Sequence, residues 1–331
     1  MKPRPWRSPA LGAVTVTLPA LLGCALVNAP RADYVAERRA AQAREHIVLT
    51  PDLLGRLQPL DRARGVAELD EARRYAGGED RFDAQLGELY LTAGAYQQAQ
   101  ECLEAYERLH PGPDREARFG LGTCALMLGR TDDGVQLLEQ YLADVLESVG
   151  APRQPGGTVY SRALLAGRAP RQTPGTALTL ALGLNQVGYV LADADVPALR
   201  TTALQLTIAA NRLEPLMPMI MDSVGWAHYR CGHTEEALFW MQKAWRHYGG
   251  HWTPPPGPGA WHRAPGSALV SVYEPDIPYH LGMVYLAAGH DIEGDRMLRV
   301  ALSLDPAHPG ARQALDKARQ QRWRLPPPTR V

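Results

Sequence analysis

The sequence predicts an all-α protein, an α-α solenoid of about five helical hairpins with two Pro/Gly-rich insertions. Three observations predict this fold. One spacing of small and large residues recurs in five segments, Pro and Gly are concentrated in two stretches between those segments, and apolar residues (45%) and charged residues (21%) occur in the proportions of a folded chain. With 331 residues the chain is long enough for such an array, in which each hairpin packs mainly against its neighbours.

The repeating unit is clearest from residue 80 onward. Positions 7, 8, 11, 15, 20, 24 and 32 of this unit are Leu86, Gly87, Tyr90, Gly94, Ala99, Leu103 and Pro111. This spacing resembles the tetratricopeptide repeat, a helix–turn–helix unit of about 34 residues. Small residues at positions 8 and 20 allow helix A and helix B to approach closely, and larger residues at positions 7, 11 and 24 fill the seam. The Pro ends helix B.

Four further segments carry the same residue classes in register. They begin at Arg115, near Ala181, at Pro218 and at Pro275, and position 8 is glycine in all of them. The third segment has three extra residues between its helices. We therefore expect repeats 1 and 2 at 80–148, repeats 3 and 4 at 181–251, and repeat 5 with a capping helix at 275–324. Terminal units of a solenoid are atypical because one face meets water.

The C-terminal half also resembles a more specific family. The stretches Leu184–Asp193 and Asp222–Arg230 are similar to repeats of tetratricopeptide lipoproteins of the proteobacterial outer membrane. The resemblance covers 177–315, and it implies an adaptor that holds other proteins. Some members tether a periplasmic protease to its substrates, and others serve pilus or cell-envelope assembly. The chain departs from the family at 249–276, where the family passes directly into its last repeat.

The N-terminus predicts a lipoprotein signal peptide at 1–23. Three basic residues precede an apolar stretch at 10–22, which is too short to span a bilayer. The stretch ends in Leu-Leu-Gly-Cys, which resembles a bacterial lipobox and implies cleavage before Cys24 and acylation (palmitate) of its thiol. An uncleaved anchor with a chance Cys is the alternative. Ala25 is not the Asp that retains enteric lipoproteins in the inner membrane, so we expect an outer-membrane lipoprotein that faces the periplasm.

The charge of the mature chain argues against nucleic acid as a partner. Without residues 1–23 the chain has 32 basic and 35 acidic residues, a net charge of −3. A mildly acidic protein has no general attraction to a polyanion. No other stretch approaches 18 consecutive apolar residues, so we expect the membrane to be contacted through the N-terminal lipid alone.

Three segments fall outside the regular repeats. Residues 24–79 read as helical but poorly patterned and could form a degenerate repeat, with Leu69 and Ala72 facing inward. The insertion at 149–180 and the Pro-rich loop at 252–274 are too rich in Pro and Gly to predict helix. Both are interpreted as loops between repeats. The alternative for the second is a loop that closes over a binding groove and carries aromatic side chains: Trp252, Trp261 and Tyr273.

Residues that would line a concave groove follow from the repeat register. Positions 2, 5, 9, 12 and 13 of helix A face the concave side in such solenoids, and aromatic and Arg side chains there are typical of protein-binding surfaces. The predicted partner-binding residues are Phe119, Asn185, Tyr189, Asp222, Trp226, Tyr229, Arg230 and Tyr279. Trp226 or Tyr229 could instead pack between repeats. The Lys and Asn cluster that clamps a C-terminal carboxylate in chaperone-binding relatives is absent.

The cysteines and histidines predict no metal site. Cys102 and Cys124 would lie in neighbouring helices, where a disulfide is conceivable in an oxidising compartment, although small buried residues are the simpler interpretation. His228, Cys231 and His233 have a spacing that suggests ligands, but a zinc site needs a fourth ligand and tetrahedral geometry. We interpret His228 as a packing residue of helix A.

The functional prediction follows from these features. Because the sequence contains no serine nucleophile elbow and no phosphate-binding loop, we expect no enzyme activity, no cofactor and no small-molecule substrate. The leading hypothesis is a lipid-anchored periplasmic scaffold or adaptor that binds partner proteins through a concave groove. The alternatives are a structural subunit of an envelope export or pilus assembly machine and, more remotely, an enzyme with an unrecognised site.

Overall fold

The structure is a computed structural model, and it describes residues 32–49, 58–76, 80–112, 114–151, 157–168, 173–249 and 275–324. These residues form α-helices connected by turns, with one short 3₁₀ segment and no strand within the described ranges. The predicted all-α solenoid is confirmed. The signal peptide, Cys24 and the Pro-rich loop at 252–274 lie outside the described residues.

Fourteen α-helices make up the described part of the chain. In order they are α1 (Ala32–Ile47), α2 (Arg62–Ala76), α3 (Asp80–Ala93), α4 (Tyr96–Leu109), α5 (Arg115–Met127), α6 (Thr131–Ser148), α7 (Val159–Ala166), α8 (Pro174–Asp193), α9 (Arg200–Leu213), α10 (Pro218–Arg230), α11 (Thr234–Gly249), α12 (Asp276–Ala287), α13 (Asp291–Leu304) and α14 (Pro309–Arg324).

Twelve of these helices pair into hairpins that stack in chain order. Helices α1 and α2 form the N-terminal hairpin, in which Leu69 and Ala72 are buried. Hairpins 1 to 5 are α3–α4, α5–α6, α8–α9, α10–α11 and α12–α13. Helix α14 packs on α13 at the end of the array. Each hairpin contacts the next one through its second helix, which is the stacking expected of a solenoid.

The two helices of hairpins 1 to 5 are closest where glycine stands at position 8. A Cβ atom built on Gly87 would lie 2.7 Å from Leu103, which is inside van der Waals contact. The same is true in each other hairpin, with distances of 2.7 to 3.0 Å to the residue at position 24. Those pairs are Gly122 with Leu138, Gly188 with Thr207, Gly225 with Met241 and Gly282 with Leu298. The glycine is therefore required by helix packing.

The turn between helix A and helix B is built in the same way in four hairpins. A glycine at position 15 has a φ of +77° to +82° at Gly94, Gly129, Gly232 and Gly289. This left-handed conformation ends helix A, and the next residue then donates its N–H to the position-11 carbonyl, as Ala95 does to Tyr90 at 2.9 Å. Hairpin 3 has Asp195 at φ +54° instead, followed by the 3₁₀ turn Pro197–Leu199, which takes up the three extra residues.

The insertion at 149–180 contains more helix than the sequence predicts. Helix α7 occupies its middle, and α8 begins at Pro174 rather than near residue 181. The side chain of Thr158 accepts a hydrogen bond from the N–H of Ser161 and caps α7, and Ala163 is buried against the core. Pro174 stands in the first turn of α8, where its missing N–H costs nothing. The Pro and Gly residues delimit these helices instead of preventing them.

Helix α8 is apolar because it lies inside the array. Among the described residues, Gly175–Asp193 is the one helix that is long and apolar enough to cross a membrane by length and composition. More than half of this stretch is buried inside the protein, against helices α6, α9 and α10. Packing between hairpins accounts for its composition.

The N-terminal hairpin also contacts the far end of the array. The N–H of Leu60 donates to the carbonyl of Leu304 at 2.7 Å, and Nε of Arg62 donates to Oδ2 of Asp305 at 2.6 Å. Leu49 and Leu60 pack on Leu304. These residues are more than 240 positions apart in sequence, so the array returns on itself and its first and last hairpins meet.

Adding a methyl group at the helix crossing of hairpin 3 should destabilise the fold. In Gly188→Ala the new Cβ would lie 3.1 Å from both the carbonyl oxygen of Ala203 and the N of Thr207, which are backbone atoms and cannot move independently. We expect urea denaturation to show a loss of about 1–3 kcal/mol. Gly175→Ala, on the same helix, meets nothing within 4 Å and should leave stability unchanged or raise it by up to about 1 kcal/mol. Equal effects of the two substitutions would contradict the close approach.

Candidate functional site

Hairpins 3, 4 and 5 meet at a cluster of charged and aromatic side chains, which we call the polar hub. Its members are Asp193 of α8, Asp222, Trp226 and Arg230 of α10, and His280 of α12. Each comes from helix A of its hairpin, because stacking places successive A helices side by side. The hub therefore links three hairpins through side chains that are remote in sequence.

Trp226 is the centre of the hub. Its indole is 1% exposed and stacks on the imidazole of His280, with 4.0 Å between ring centroids and 23° between the planes. The ring of Tyr229 stacks on it at 5.1 Å, and the guanidinium carbon of Arg230 lies 5.1 Å from the ring centroid. The indole N–H donates to Asp193 at 3.3 Å. The apolar ring is thus packed against other rings and a cation, and its N–H has a hydrogen-bond acceptor.

A buried ion pair joins hairpin 4 to hairpin 5. Nδ1 of His280 lies 2.9 Å from Oδ2 of Asp222, and both side chains are almost inaccessible to solvent. Burial by itself lowers the pKa of His280, but the carboxylates of Asp222, Asp276 and Asp193 outweigh burial, and the net shift of the pKa is upward. The other carboxylate oxygen of Asp222 is buried without a hydrogen-bond partner among the described residues. The folded protein therefore favours the protonated form of His280 more than the unfolded chain does.

Arg230 ties the end of helix α8 to helix α10. Its guanidinium donates to the carbonyls of Ala192 and Asp193 at 3.1 and 3.3 Å, and it lies 3.0 Å from the carboxylate of Asp195. The last carbonyls of a helix have no partner within the helix, and a cation near them is favourable. Arg230 thus acts as a side-chain cap for hairpin 3 that is supplied by hairpin 4.

A second histidine–carboxylate pair extends the hub toward helix α14. Nε2 of His308 lies 2.9 Å from Asp276, and the ring of Tyr279 lies 4.6 Å from the His308 ring. Burial raises the pKa of Asp276, but the hydrogen bond from His308 and the charges of His280, His308 and Arg62 outweigh it, so the net shift is downward. Burial raises the pKa of Tyr279 to about 12. Hairpin 5 is thereby held to hairpin 4 through His280 and to the start of helix α14 through His308.

The eight predicted partner-binding residues have two different environments. Asn185, Asp222 and Trp226 are buried in the described structure, whereas the other five are partly exposed: Phe119, Tyr189, Tyr229, Arg230 and Tyr279. The interpretation of Trp226 as a packing residue is the one that its burial supports. A partner could reach the three buried residues only after the hairpins separate, and contact of the eight with a partner stays a prediction.

The spacing of the repeats did not single out His280, Asp276 or His308 as members of a site. His280 occupies position 6 of its unit, for which the repeat prescribes no residue type. Its partner Asp222 is 58 residues away. A buried histidine beside an aspartate is visible only once the hairpins are stacked.

A solvent-accessible pocket lies between helices A of hairpins 1 and 2. It has a volume of about 290 Å³, and we call it the acidic pocket. Its walls combine three carboxylates with aromatic and aliphatic side chains: Glu88, Asp114, Glu116, Leu91, Tyr106 and Phe119. Phe119 packs on Tyr141 at 5.1 Å between ring centroids, which fixes one wall. Of the eight predicted residues, Phe119 alone lines this pocket.

The cysteines and the His228–His233 pair have no ligand geometry in the described structure. Cys102 and Cys124 are buried free thiols, and burial raises their pKa to about 11 and about 12, which keeps them protonated. In the described structure no disulfide joins them. The Nδ1 atoms of His228 and His233 lie 3.4 Å apart, and within the described ranges no group of three or more His, Cys, Asp or Glu side chains is placed to hold a metal ion.

Protonation of His280 should make the stability of the fold depend on pH. Its folded-state pKa is raised above 6.5, so its contribution is complete below pH 6.5 and is lost as the pH rises through the folded-state pKa. His228 acts in the opposite direction, because burial lowers its pKa. We therefore compare urea midpoints of the wild type and His280→Gln between about pH 5.5 and 8.5. The difference between them should shrink as pH rises, and a difference independent of pH would show that the imidazole is not charged in the hub.

Comparison with known proteins supports the repeat assignment in the first two hairpins. Residues 84–145 match the family model described as tetratricopeptide repeat. A TPR repeat-containing protein of Pseudomonas aeruginosa, PA4667, is 39% identical over 75 residues, which are 22% of this chain and 12% of that protein. The aligned part thus spans about an eighth of the length of this bacterial relative.

Solved structures include similar helical arrays. TTC0263, a thermophilic TPR protein in Thermus thermophilus, gives a TM-score of 0.44 at 18% identity and covers 73% of this chain and 99% of its own. The match to residues 1–338 of Acl4, an assembly chaperone of RpL4, has a TM-score of 0.42 at 14% identity. It covers 88% of this chain and 96% of that chain. Residues 84–145 are similar in sequence to tetratricopeptide repeats, and the helical hairpins of the described residues stack as a solenoid.

Proposed function

We propose that this protein is a lipid-anchored scaffold or adaptor of the bacterial cell envelope, and that it binds partner proteins at the acidic pocket. The observation that carries the proposal is the pocket itself. It lies at positions of helix A where tetratricopeptide solenoids hold their ligands, and its lining mixes exposed carboxylates with Leu91 and Phe119. In protein–protein complexes, the side chains that contribute most to binding are buried in pockets of the partner's surface.

The charge of the pocket favours a basic side chain of the partner. Glu88 makes no ion pair among the described residues, and it faces the carboxylates of Glu116 and Asp114. Partial burial raises the pKa of Glu88, and these two neighbours raise it further. A Lys or Arg side chain placed in the pocket would reverse this unfavourable interaction. Tyr106 and Phe119 would pack on the aliphatic part of the same side chain.

The hub supports the same function by joining the C-terminal hairpins. Its charged contacts and stacked rings link hairpins 3, 4 and 5, and the acidic pocket lies outside it, at hairpins 1 and 2. A preorganised surface loses less conformational entropy when a partner binds. The sequence supplies the rest of the proposal: the lipobox-like stretch before Cys24 favours an anchor on the outer membrane, with the repeats in the periplasm.

Substitutions in the acidic pocket should reduce partner capture. Phe119→Ala removes the aromatic wall, and Glu88→Gln removes one charge without breaking an ion pair of the described structure. The wild type and both variants are used as bait in pull-downs from detergent-solubilised envelopes, followed by quantitative mass spectrometry. We expect one set of proteins to be enriched by the wild type and reduced at least about fivefold by Phe119→Ala, which corresponds to roughly 1 kcal/mol of binding free energy.

Phe239→Ala is the matched control for this experiment. Phe239 is 56% exposed on helix B of hairpin 4, outside the acidic pocket, and its removal should leave capture unchanged. Equal capture by all variants would rule the pocket out as the binding surface. The identity of the captured proteins separates the two leading hypotheses, because a protease or free substrates indicate an adaptor and secretin or exporter subunits indicate a machine component.

The lipid anchor is tested separately by metabolic labelling with a palmitate analogue. We expect the label in the wild-type protein and its loss in Cys24→Ala, because the thiol is the acylated group. Cys231→Ala is the control, since Cys231 is the described cysteine with a partly exposed thiol and its removal should leave the label in place. Labelling that persists in Cys24→Ala would exclude Cys24 as the acylation site.

A further inference from the structure

The contact between the N-terminal hairpin (α1–α2) and the end of hairpin 5 has the chemistry of a binding site. Asp305 follows the C-terminal end of helix α13 and is fully buried, and its Oδ2 accepts from Arg62. Its other oxygen accepts the N–H of Ala307. Beside it, the carbonyl of Leu304 accepts the N–H of Leu60. The start of helix α2 thus supplies an N–H to a backbone carbonyl, a cation to a buried carboxylate and an apolar side chain to an apolar patch.

The segment that fills this position carries two recognisable side chains. Leu60 is buried against Leu304 and Leu49, and Arg62, two positions later, reaches Asp305. A buried carboxylate is unfavourable without a cation, so Arg at this position is strongly selected over a neutral residue. The arrangement recognises an apolar residue and an Arg on either side of Asp61, whose side chain accepts the N–H of Arg64 and caps the helix.

Arg62 also connects this contact to the rest of the array. Its Nη1 donates to the carbonyl of Thr92 at 3.0 Å, so the one guanidinium bridges hairpin 1 and hairpin 5. Tyr96, at the start of α4, lies in the same region: burial raises its pKa, the charges of Asp193 and Asp276 raise it further, and Arg62 opposes them. Arg62 therefore joins hairpin 1 to the end of hairpin 5.

We propose that the end of hairpin 5 is a docking seat for the N-terminal end of a helix with the pattern apolar–x–Arg, and that the chain's own Leu60–Asp61–Arg62, at the start of α2, occupies it and closes the array into a ring. A partner segment with the same pattern would compete for the seat and open the ring. This last step rests on the proposed protein-binding function, whereas the seat and its occupation by the chain's own segment do not.

Closure is tested by amide hydrogen exchange on the full mature protein. In Arg62→Gln the buried carboxylate of Asp305 loses its cation, and we expect the Leu60 amide to exchange at least about tenfold faster. The amide of Ala307, which bonds to the other oxygen of Asp305, reports whether the seat itself remains folded. Arg64→Gln is the matched control, because Arg64 is an exposed residue of the same helix that lies outside the seat. Equal Leu60 exchange in both variants would overturn closure.

The specificity of the seat is tested with a peptide of residues 58–76, which includes the whole of α2. The wild type should not bind it, because the tethered segment has an effective concentration of roughly millimolar. The double variant Leu60→Ala/Arg62→Gln should bind the peptide in calorimetry, and at least about tenfold more weakly when the peptide carries Gln in place of Arg. No binding to the double variant, or equal binding of both peptides, would overturn the docking seat. Neither result depends on whether envelope partners are captured at the acidic pocket.

Discussion

A glycine at position 8 of helix A lies directly against the side chain at position 24 of helix B in hairpins 1 to 5, and the geometry of the array depends on that contact. At Gly87 and Leu103 the helices are so close that a methyl group would overlap the opposing side chain. The crossing fixes the distance between the two helices, and the glycine at position 15 fixes the turn that joins them. Hairpins of the same shape can then stack on one another.

Stacking gives the same repeat position a different role in each hairpin. Position 5 is Phe119 in the wall of the acidic pocket, Asp222 in a buried ion pair, and Tyr279 beside the hub. The C-terminal hairpins are joined by side chains that fill the space between their A helices, and the first two leave theirs open. Arg62 closes the array by linking hairpin 1 to hairpin 5. The polar hub thus lies in the C-terminal half of the chain and the acidic pocket in the N-terminal half.

The parts of this structure that the sequence predicted are those determined by contacts within one unit. The glycines at positions 8 and 15 act on residues of the same hairpin, so their spacing predicts the hairpins and even the three extra residues before Ala203. The sequence did not predict helix α7. This helix is short, and its capping Thr158 and buried Ala163 do not belong to a repeating pattern. Asp222 and His280 are 58 residues apart in sequence, and Arg62 and Asp305 are 243 residues apart. Both pairs form only because the hairpins stack, so no local spacing encodes them.

The most direct test of this account is a disulfide between the first and last hairpins. The bonded N–H of Leu60 and carbonyl of Leu304 bring the two backbones within the range of a Cys–Cys bridge. In Leu60→Cys/Leu304→Cys, with the native cysteines of the mature chain replaced by Ala, mild oxidation should give an intramolecular bond and faster migration on non-reducing gels, and neither single variant should show it. If the monomeric double variant keeps two free thiols under the same oxidation, the array does not close.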